Sequence, residues 1–580
     1  MRLKISKSPN AASLYVIKSF RKNGVNTSKI VEKLGTEQEL REKLGGRDPY
    51  EWAKEYVAEL TRLEQQEREP EVIKKFSPTA QIDKGKQTSF NGGYLFLQHI
   101  YRRLAIDKVC KKISSRHKFE FDLDALLSRL VYGRIIFPSS KRATCELSKR
   151  FIEQSNFDLH QIYRALKIIA QECDFIQSTL YNNSLKVADR NTNVLYYDCT
   201  NYFFEIEEES GYRQYGISKE HRPNPIVQMG LFMDGDGIPL TFSISSGNTN
   251  EQVTLKPLEK KIIDDFNMAK FIVCTDAGLA STANRKFNDR GSRAFVTTQS
   301  IKKLKKHLQD WALDHQGWRI SGNSKDIYDI SKLTCLGDDA KEKYEHLLNT
   351  TFYKERWINE NGLEQKFIVT FSLKYQIYQR SIRSRHVERA NNAIAKNPDR
   401  IGMVRQNDYK RFIAKTHCTK EGEIAKKTVY TIDNAAIAKE EWFDGFYGVC
   451  TNLNDDVAEI IKINNGRWEI EECFRILKTE FKARLVYVSK DESIEAHFTT
   501  CFLALVIFRY LEKQLKEKYT CSEIIQGLRD MNFYEIAGDG YVPTYTRTDF
   551  TDDLHDAFGF RTDYQIVTKK QMKNILKATK

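Results

Sequence analysis

Two short segments constrain the fold more than any other part of the chain. Val194-Leu-Tyr-Tyr-Asp-Cys-Thr200 and Phe271-Ile-Val-Cys-Thr-Asp276 are nearly continuous apolar and β-branched runs, the profile of central strands covered on both faces. Each carries one carboxylate, Asp198 or Asp276. An ionised carboxylate in such a strand is costly unless it is paired or binds a metal. Between the two runs lie Ile226–Met233, the turn Asp234-Gly-Asp-Gly237, Ile238–Ile244, and a helical stretch from Leu255 to Asp265. Three strands, a helix and a fourth strand in that order predict a mixed sheet with both aspartates on inner strands.

A third acid sits far downstream. Asp455 to Phe481 reads as one long helix, and within it Arg467-Trp-Glu-Ile-Glu-Glu-Cys-Phe-Arg-Ile-Leu-Lys478 is the most informative segment. At 100° per residue, Ile470, Cys473, Phe474, Leu477 and Phe481 form one apolar stripe, and Arg467, Glu471, Arg475 and Lys478 share an adjacent face. Alone, this face reads as an exposed helix with spaced ion pairs. Beside two strand aspartates, Glu471 completes a set of oxygen ligands for hard divalent cations, with positions left for water and phosphate oxygens. In a two-metal site of that kind the nearby cations would hold phosphates, Arg by its fork and Lys as a point charge. Residue chemistry by itself leaves phosphodiester cleavage and other metal-assisted hydrolyses open.

These segments resemble the DDE transposases of bacterial insertion sequences, in particular the group with a Tyr-x2-Arg-x3-Glu-x6-Lys signature. Arg467-x3-Glu471-x6-Lys478 fits, as do Tyr197-Asp198-Cys-Thr200, Tyr215-Gly-Ile-Ser-Lys-Glu-His-Arg222 and Thr275-Asp276-Ala-Gly278. The resemblance covers roughly residues 14 to 515. It implies an RNase H-like core that uses two Mg2+ ions, with Mn2+ able to substitute. Asp198, Asp276 and Glu471 would be the metal-binding catalytic acids. It further implies cleavage at the inverted-repeat ends of an element, strand transfer into target DNA, and a homodimer on paired ends. The 195 residues from Asp276 to Glu471 leave room for the β-rich insertion of that group. One position departs: Asn464 stands where the signature has tyrosine, so whatever that ring or hydroxyl contributes at the DNA end is in doubt.

The expected fold class is α/β, an RNase H-like mixed-sheet core with a β-rich insertion, preceded by a mainly helical N-terminal region. Residues 1–70 read as a hairpin over 14 to 34, turning at Asn23-Gly24, and a helix closed by Pro70. Residues 71–190 read as a helical DNA-binding region, broken at Pro138-Ser139-Ser140. There Leu159 to Leu166 reads as a packing helix, with a helix-turn-helix recognition helix as the alternative. Residues 191–300 and 441–520 are the two parts of the core. Residues 301–440 form an insertion set apart from the central sheet, with a hairpin at Asn361-Gly362 and arginines 380, 383, 385 and 389 on helical spacing. Residues 521–580 are a basic extension ending in a solvated tail.

Net charge is +14, from 92 Lys and Arg against 78 Asp and Glu, which favours a polyanionic partner such as double-stranded DNA. Candidate phosphate contacts are Arg467, Lys478, Arg475, His221, Arg222, Lys302 and Lys303, the last two in a basic run that continues to Lys306. His497 reads as a core histidine. The apolar run Cys501–Phe508 is too short for a membrane span, no Walker-type sequence predicts ATP, and 11 scattered cysteines read as free thiols of a cytoplasmic protein. Two further functions fit the same residues: a catalytically silent DNA-binding protein derived from a transposase, and a related RNase H-like nuclease.

Overall fold

The protein is seen in a computed structural model that describes residues 1–580 except 9–10, 23–24, 68–71, 73, 75, 155, 321–322, 335–344, 397–407, 419–423 and 485. The chain divides into two units, residues 1–86 and 87–580.

In the first unit, β1 (Arg2–Ser8), β2 (Ala11–Lys22) and β3 (Val25–Thr36) form an antiparallel sheet in sequence order. The expected hairpin is β2–β3, and its Asn23-Gly24 turn lies outside the described residues. β1 has no signal in the sequence, because its side chains are nearly all exposed and leave no buried period to read. The helical run is two helices, Glu37–Lys43 and Pro49–Glu67, since Gly45 and Gly46 between them take φ values of +57° and +102°. Thr36 caps the first with a reciprocal Glu39 bond. Pro70 lies outside the described residues.

The second unit is built on a ten-stranded sheet. Its RNase H-like half contains β5 (Val194–Phe203), β6 (Ile226–Asp234), β7 (Pro239–Ser246), β8 (Ile272–Thr275) and β9 (Ala294–Gln299), in the order β7-β6-β5-β8-β9. β6 is antiparallel to β5 and β7, while β5, β8 and β9 run parallel. The crossover from β7 to β8 is the helix Glu251–Asp265. β6 is buried at every residue, which explains its unbroken apolar sequence.

The insertion does not stand apart from this sheet, which corrects the expectation for residues 301–440. From it, β10 (Trp318–Ile320), β11 (Asn323–Tyr328), β12 (Phe352–Glu360) and β13 (Leu363–Phe371) extend the sheet in the order β11-β10-β12-β13. Among the described residues β14 (Ile413–Cys418) and β15 (Ile424–Ile432) pair only with each other. β16 (Phe446–Thr451) then closes the gap, antiparallel to both β13 and β9. A second apolar cluster with Trp318, Phe352, Phe367 and Phe371 backs this flank. The β12–β13 turn is at Asn361-Gly362 as expected, with φ of +54° and +72°.

Helices between Tyr94 and Ser184 precede the core. Ser140 caps the helix Lys141–Leu147, as its sequence announces. Leu159–Gln171 buries Ile162, Ala165, Leu166 and Ile169, the pattern of a packing helix. Four of these helices, Tyr94–Arg103, Leu123–Ile136, Leu159–Gln171 and Cys173–Ser184, pack on Asp491–Gln514, which is apolar enough and long enough to cross a membrane yet lies buried within the unit. His497 is one of its core residues, and burial holds its pKa well below the ordinary histidine value. The nine described free cysteines are all buried.

The C-terminus is packed rather than solvated. β17 (Asn532–Ile536), β18 (Gly540–Pro543) and β19 (Val567–Thr568) form a small sheet with β4 (Ser89–Asn91), and the helix Lys569–Ala578 buries Met572 and Ile575. The lysines of the tail occupy the other face of an amphipathic helix, which a charge count alone does not reveal.

Candidate active site

β5 and β8 bring the two aspartates together. Their parallel register pairs Tyr196 with Cys274, so two residues further on Asp198 and Asp276 lie side by side. The Cys199 amide donates to Asp198 Oδ1 at 2.7 Å, and the Gly278 and Leu279 amides donate to Asp276 Oδ1 at 2.9 and 3.1 Å. Among the described residues neither carboxylate is in an ion pair. Burial, and the Asp276 charge beside it, push the Asp198 carboxyl up to about 6 against the pull of Lys219. Lys219 itself bonds the Cys199 carbonyl and pairs with Glu251 at 3.1 Å.

The expected long helix is interrupted. Val457–Asn465 ends at Gly466, and Trp468–Arg475 begins after Arg467. A Cβ on Gly466 would lie 2.2 Å from the Tyr196 hydroxyl, so only glycine lets the break approach β5 this closely. Tyr196 fastens the same place by donating to the Ile463 carbonyl at 3.0 Å. Beyond the break Ile470, Cys473 and Phe474 are buried as the stripe predicts. A π-turn over Ile476–Glu480 then replaces the 100° progression.

Arg467 sits among the acids. Its Nη1 is 3.7 Å from Glu471 Oε1, and the Glu471 side chain is 61% exposed. Burial opposes the arginine's charge, but Tyr447, Cys274, Glu471 and Asp276 outweigh it and raise its pKa. Lys478 points inward, 5.6 Å above the Tyr202 ring and 4.0 Å from Glu220, and burial lowers its pKa. Arg475 is not grouped with them as the helical projection implied. It turns to Glu472 at 2.7 Å, because the i−3 acid is nearer than Glu471.

Of the remaining expected contacts, His221 is exposed in a left-handed turn with φ +56°, and Arg222 lies on the Phe203 ring at 4.2 Å. Both line an open concavity. Lys302 and Lys303 are exposed on a short turn, with Lys302 5.3 Å above Phe443. In the insertion helix Leu373–Lys396, Arg383 is buried against Asp444 at 2.6 and 2.7 Å, whereas Arg385 and Arg389 are exposed. The spaced arginines therefore divide between packing and surface.

Three features escaped the sequence. Glu220 gathers Lys478, Arg484 at 3.4 Å and Arg222 at 3.8 Å, linking the loop after β5 to the glutamate helix. A cavity of about 320 Å³ beside Glu471 is lined by Tyr375, Tyr447, Asn464, Arg467 and Trp468 among others. Far from these residues in sequence, Arg103, Lys108, Lys112 and Lys186 surround another concavity of about 320 Å³, and none is in an ion pair with a described carboxylate. The i, i+4 spacing of Lys108 and Lys112 is its one readable trace.

Asp552, His555 and Asp563 also approach one another, with donor atoms within 4.8 Å. The Thr562 amide donates to His555 Nε2 at 3.1 Å, which places the ring proton on Nδ1, and Arg561 and Arg547 hold the carboxylates. That set is an ion-pair cluster.

Residues 202–507 match the family model described as Transposase DDE domain. That is more than half of the chain, and the chain belongs to this family of transposition enzymes. The matched span includes Asp276 and Glu471 and begins just after Asp198. A solved structure described as a piggyBac transposase synaptic complex with hairpin DNA is 8% identical, covers 84% of each chain and gives a TM-score of 0.34. No curated protein matches the sequence.

Proposed function

We propose that the protein is a metal-dependent DNA transposase of the insertion-sequence group with the Tyr-Arg-Glu-Lys signature, cutting element ends and joining them to target DNA. The observation that carries this reading is the pair of adjacent carboxylates, Asp198 and Asp276, with no ion-pair partner among the described residues, and an arginine, Arg467, that feels the charge of Asp276 and approaches the exposed Glu471 at 3.7 Å. Oxygen donors of this kind fit hard divalent cations such as Mg2+ or Mn2+. Two such ions, held by Asp198, Asp276 and Glu471, would supply Lewis acidity to the attacking and leaving oxygens of an in-line phosphoryl transfer.

The chain's own residues do the rest. Arg467 stands between the acids and restrains Glu471, and in the complex its fork holds a phosphate near the scissile bond. Lys478, positioned by Glu220, holds a second phosphate. Arg222, His221, Lys302 and Lys303 add exposed contacts along the duplex. Joining two ends in one assembly calls for a homodimer.

The test is cleavage of a labelled duplex carrying the sequence that flanks the gene, with Mg2+ or Mn2+, beside a gel shift. Asp198→Asn, Asp276→Asn and Glu471→Gln should each abolish cutting and leave binding in place, since residues that act as a unit are not additive. Lys478→Ala should weaken end binding. Wild-type protein that binds ends but cuts with neither metal would make it a DNA-binding protein without chemistry. Cutting without joining would make it a nuclease.

A further inference from the structure

The basic concavity of the helical region lies toward the end of the core sheet that the acids do not occupy. Its cations come from three places: Arg103 closes the helix Tyr94–Arg103, Lys108 and Lys112 belong to Ile106–Arg116, and Lys186 follows Cys173–Ser184. Asn183 ties the last of these helices to the first by donating to the Leu104 carbonyl at 3.0 Å. One residue on, Ser184 accepts from Arg190 at 2.8 Å, and Arg190 pairs at 2.6 Å with Asp234, which sits opposite Leu195 where β5 begins. Asp276, with Asp198 beside it, instead follows the last residue of β8, which runs parallel to β5. The concavity is thus anchored where β5 starts, and the acids stand where β8 finishes.

Four cations around one opening repel one another, and no acid relieves them. None of the lining residues is acidic, and the carboxylates on the same helices are engaged elsewhere, Asp107 with Arg102 at 3.3 Å and Asp174 with Lys261. All four cations are exposed, so an anion can reach them without being buried. Lys108 and Lys112 stand about 6 Å apart along one helix face. A concavity lined by one sign of charge concentrates ions of the other.

The rest of the lining selects among anions. Ala105 and Val109 are apolar, Thr179 adds a hydroxyl, Asn183 turns its amide to Leu104, and no aromatic ring is among them. A nucleotide would find nothing here to stack its base on. Three ammonium groups on flexible stems and one guanidinium suit phosphates that are recognised by charge alone.

We propose that this concavity is a second DNA-binding site, gripping the phosphodiester backbone of the duplex beyond the stretch that reaches the acids. This rests on the transposase reading above and deepens it, since it gives the enzyme a hold on DNA remote from the bond being cut. A duplex just long enough to fill the catalytic end would not touch it.

The test is a gel shift without metal on duplexes of increasing length, comparing the full-length wild type with the variant in which Arg103, Lys108, Lys112 and Lys186 are all glutamine. Wild-type affinity should climb about tenfold or more at the length that first reaches the concavity, and the variant should lack that step. Removing mutually repelling charges should hold or raise the variant's melting temperature, so a lost step is not a lost fold. Lys108→Arg, Lys112→Arg and Lys186→Arg together should keep the step, because the grip depends on charge. An equal step in the wild type and the glutamine variant overturns the proposal. So does a concavity that serves a small anion instead, with inorganic phosphate or ATP raising the melting temperature of the wild type but not of the variant while both show the same step. Backbone contacts are independent of sequence, so duplexes of unrelated sequence should show the step as well. The result therefore stands even if the wild type neither prefers element ends nor cuts them, which would count against the function alone.

Discussion

Replacing Asp198 with asparagine should make the metal-free protein more stable while ending its chemistry. Burial and the neighbouring Asp276 hold the Asp198 carboxyl at about 6, against 3.8 for the free side chain. Between those values the native state keeps a proton that the unfolded chain has released, so native stability falls as pH rises through this window and stays low above it. At about 1.36 kcal/mol per pH unit, the ionised carboxylate costs on the order of 3 kcal/mol at pH 7. Asparagine removes that cost and can still accept the Cys199 amide. The variant should therefore melt above wild type at pH 8, by an amount that shrinks below pH 6 and vanishes near pH 4. Excess Mg2+ should raise the wild-type melting temperature and leave the variant unmoved. A ligand at a hundred times its Kd contributes about 2.7 kcal/mol, enough to offset most of the penalty. Scanning fluorimetry from pH 4 to 8, with Mg2+ and with chelator, reads all of this. A variant no more stable than wild type at pH 8, or one whose advantage ignores pH, would refute the idea that the two carboxylates are held together under strain for a metal.

Two further outcomes test other parts of the molecule. Exchanging Arg103, Lys108, Lys112 and Lys186 for glutamine should flatten the dependence of log affinity on log salt by up to about 3.6, at about 0.9 for each duplex phosphate that is no longer neutralised. The same exchange at Lys306 should do less, since that lysine is already paired with Asp310 at 2.8 Å. Deleting the β12–β13 hairpin, residues 352–371, strips one full partner from β16 and should yield insoluble protein by sedimentation of the lysate. A soluble deletion that still binds DNA ends would restore the view of the insertion as a detachable appendage.

The parts legible in the sequence are those whose signal is local. An aspartate inside an apolar run marks β5 and the end of β8, Asn361-Gly362 marks a two-residue turn, and Ser140 after Pro138 marks a helix start. The pairing of β13 with β16 has no such mark. It joins residues about 80 positions apart by backbone bonds that any apolar strand could make. Likewise Glu220 reads as one charge in a polar loop, and only the fold reveals that Lys478 and Arg484 converge on it. Gly466 reads as a tolerated glycine within a helix, because the Tyr196 hydroxyl that requires it is 270 residues upstream. The placement of Tyr447 against Asn464 is of the same kind: a strand residue and a helix residue meet across a cavity that neither segment predicts.

The way β16 closes the sheet governs when the protein can come alive during its synthesis. β9 has no partner on its outer side until Phe446–Thr451 emerges, with 146 residues lying between Gln299 and Phe446. At roughly 5–20 residues per second, a ribosome needs on the order of ten seconds to cover that stretch. For that interval both aspartates exist on an open-edged half-sheet without Glu471, a species prone to stick to its neighbours. The small sheet waits longer still, since β4 at residues 89–91 pairs with β17 at 532–536. A message broken between residues 276 and 446 therefore yields a chain that carries both aspartates, lacks Glu471 and leaves the outer edge of β9 open, and the finished chain acquires Glu471 and its closed sheet almost together.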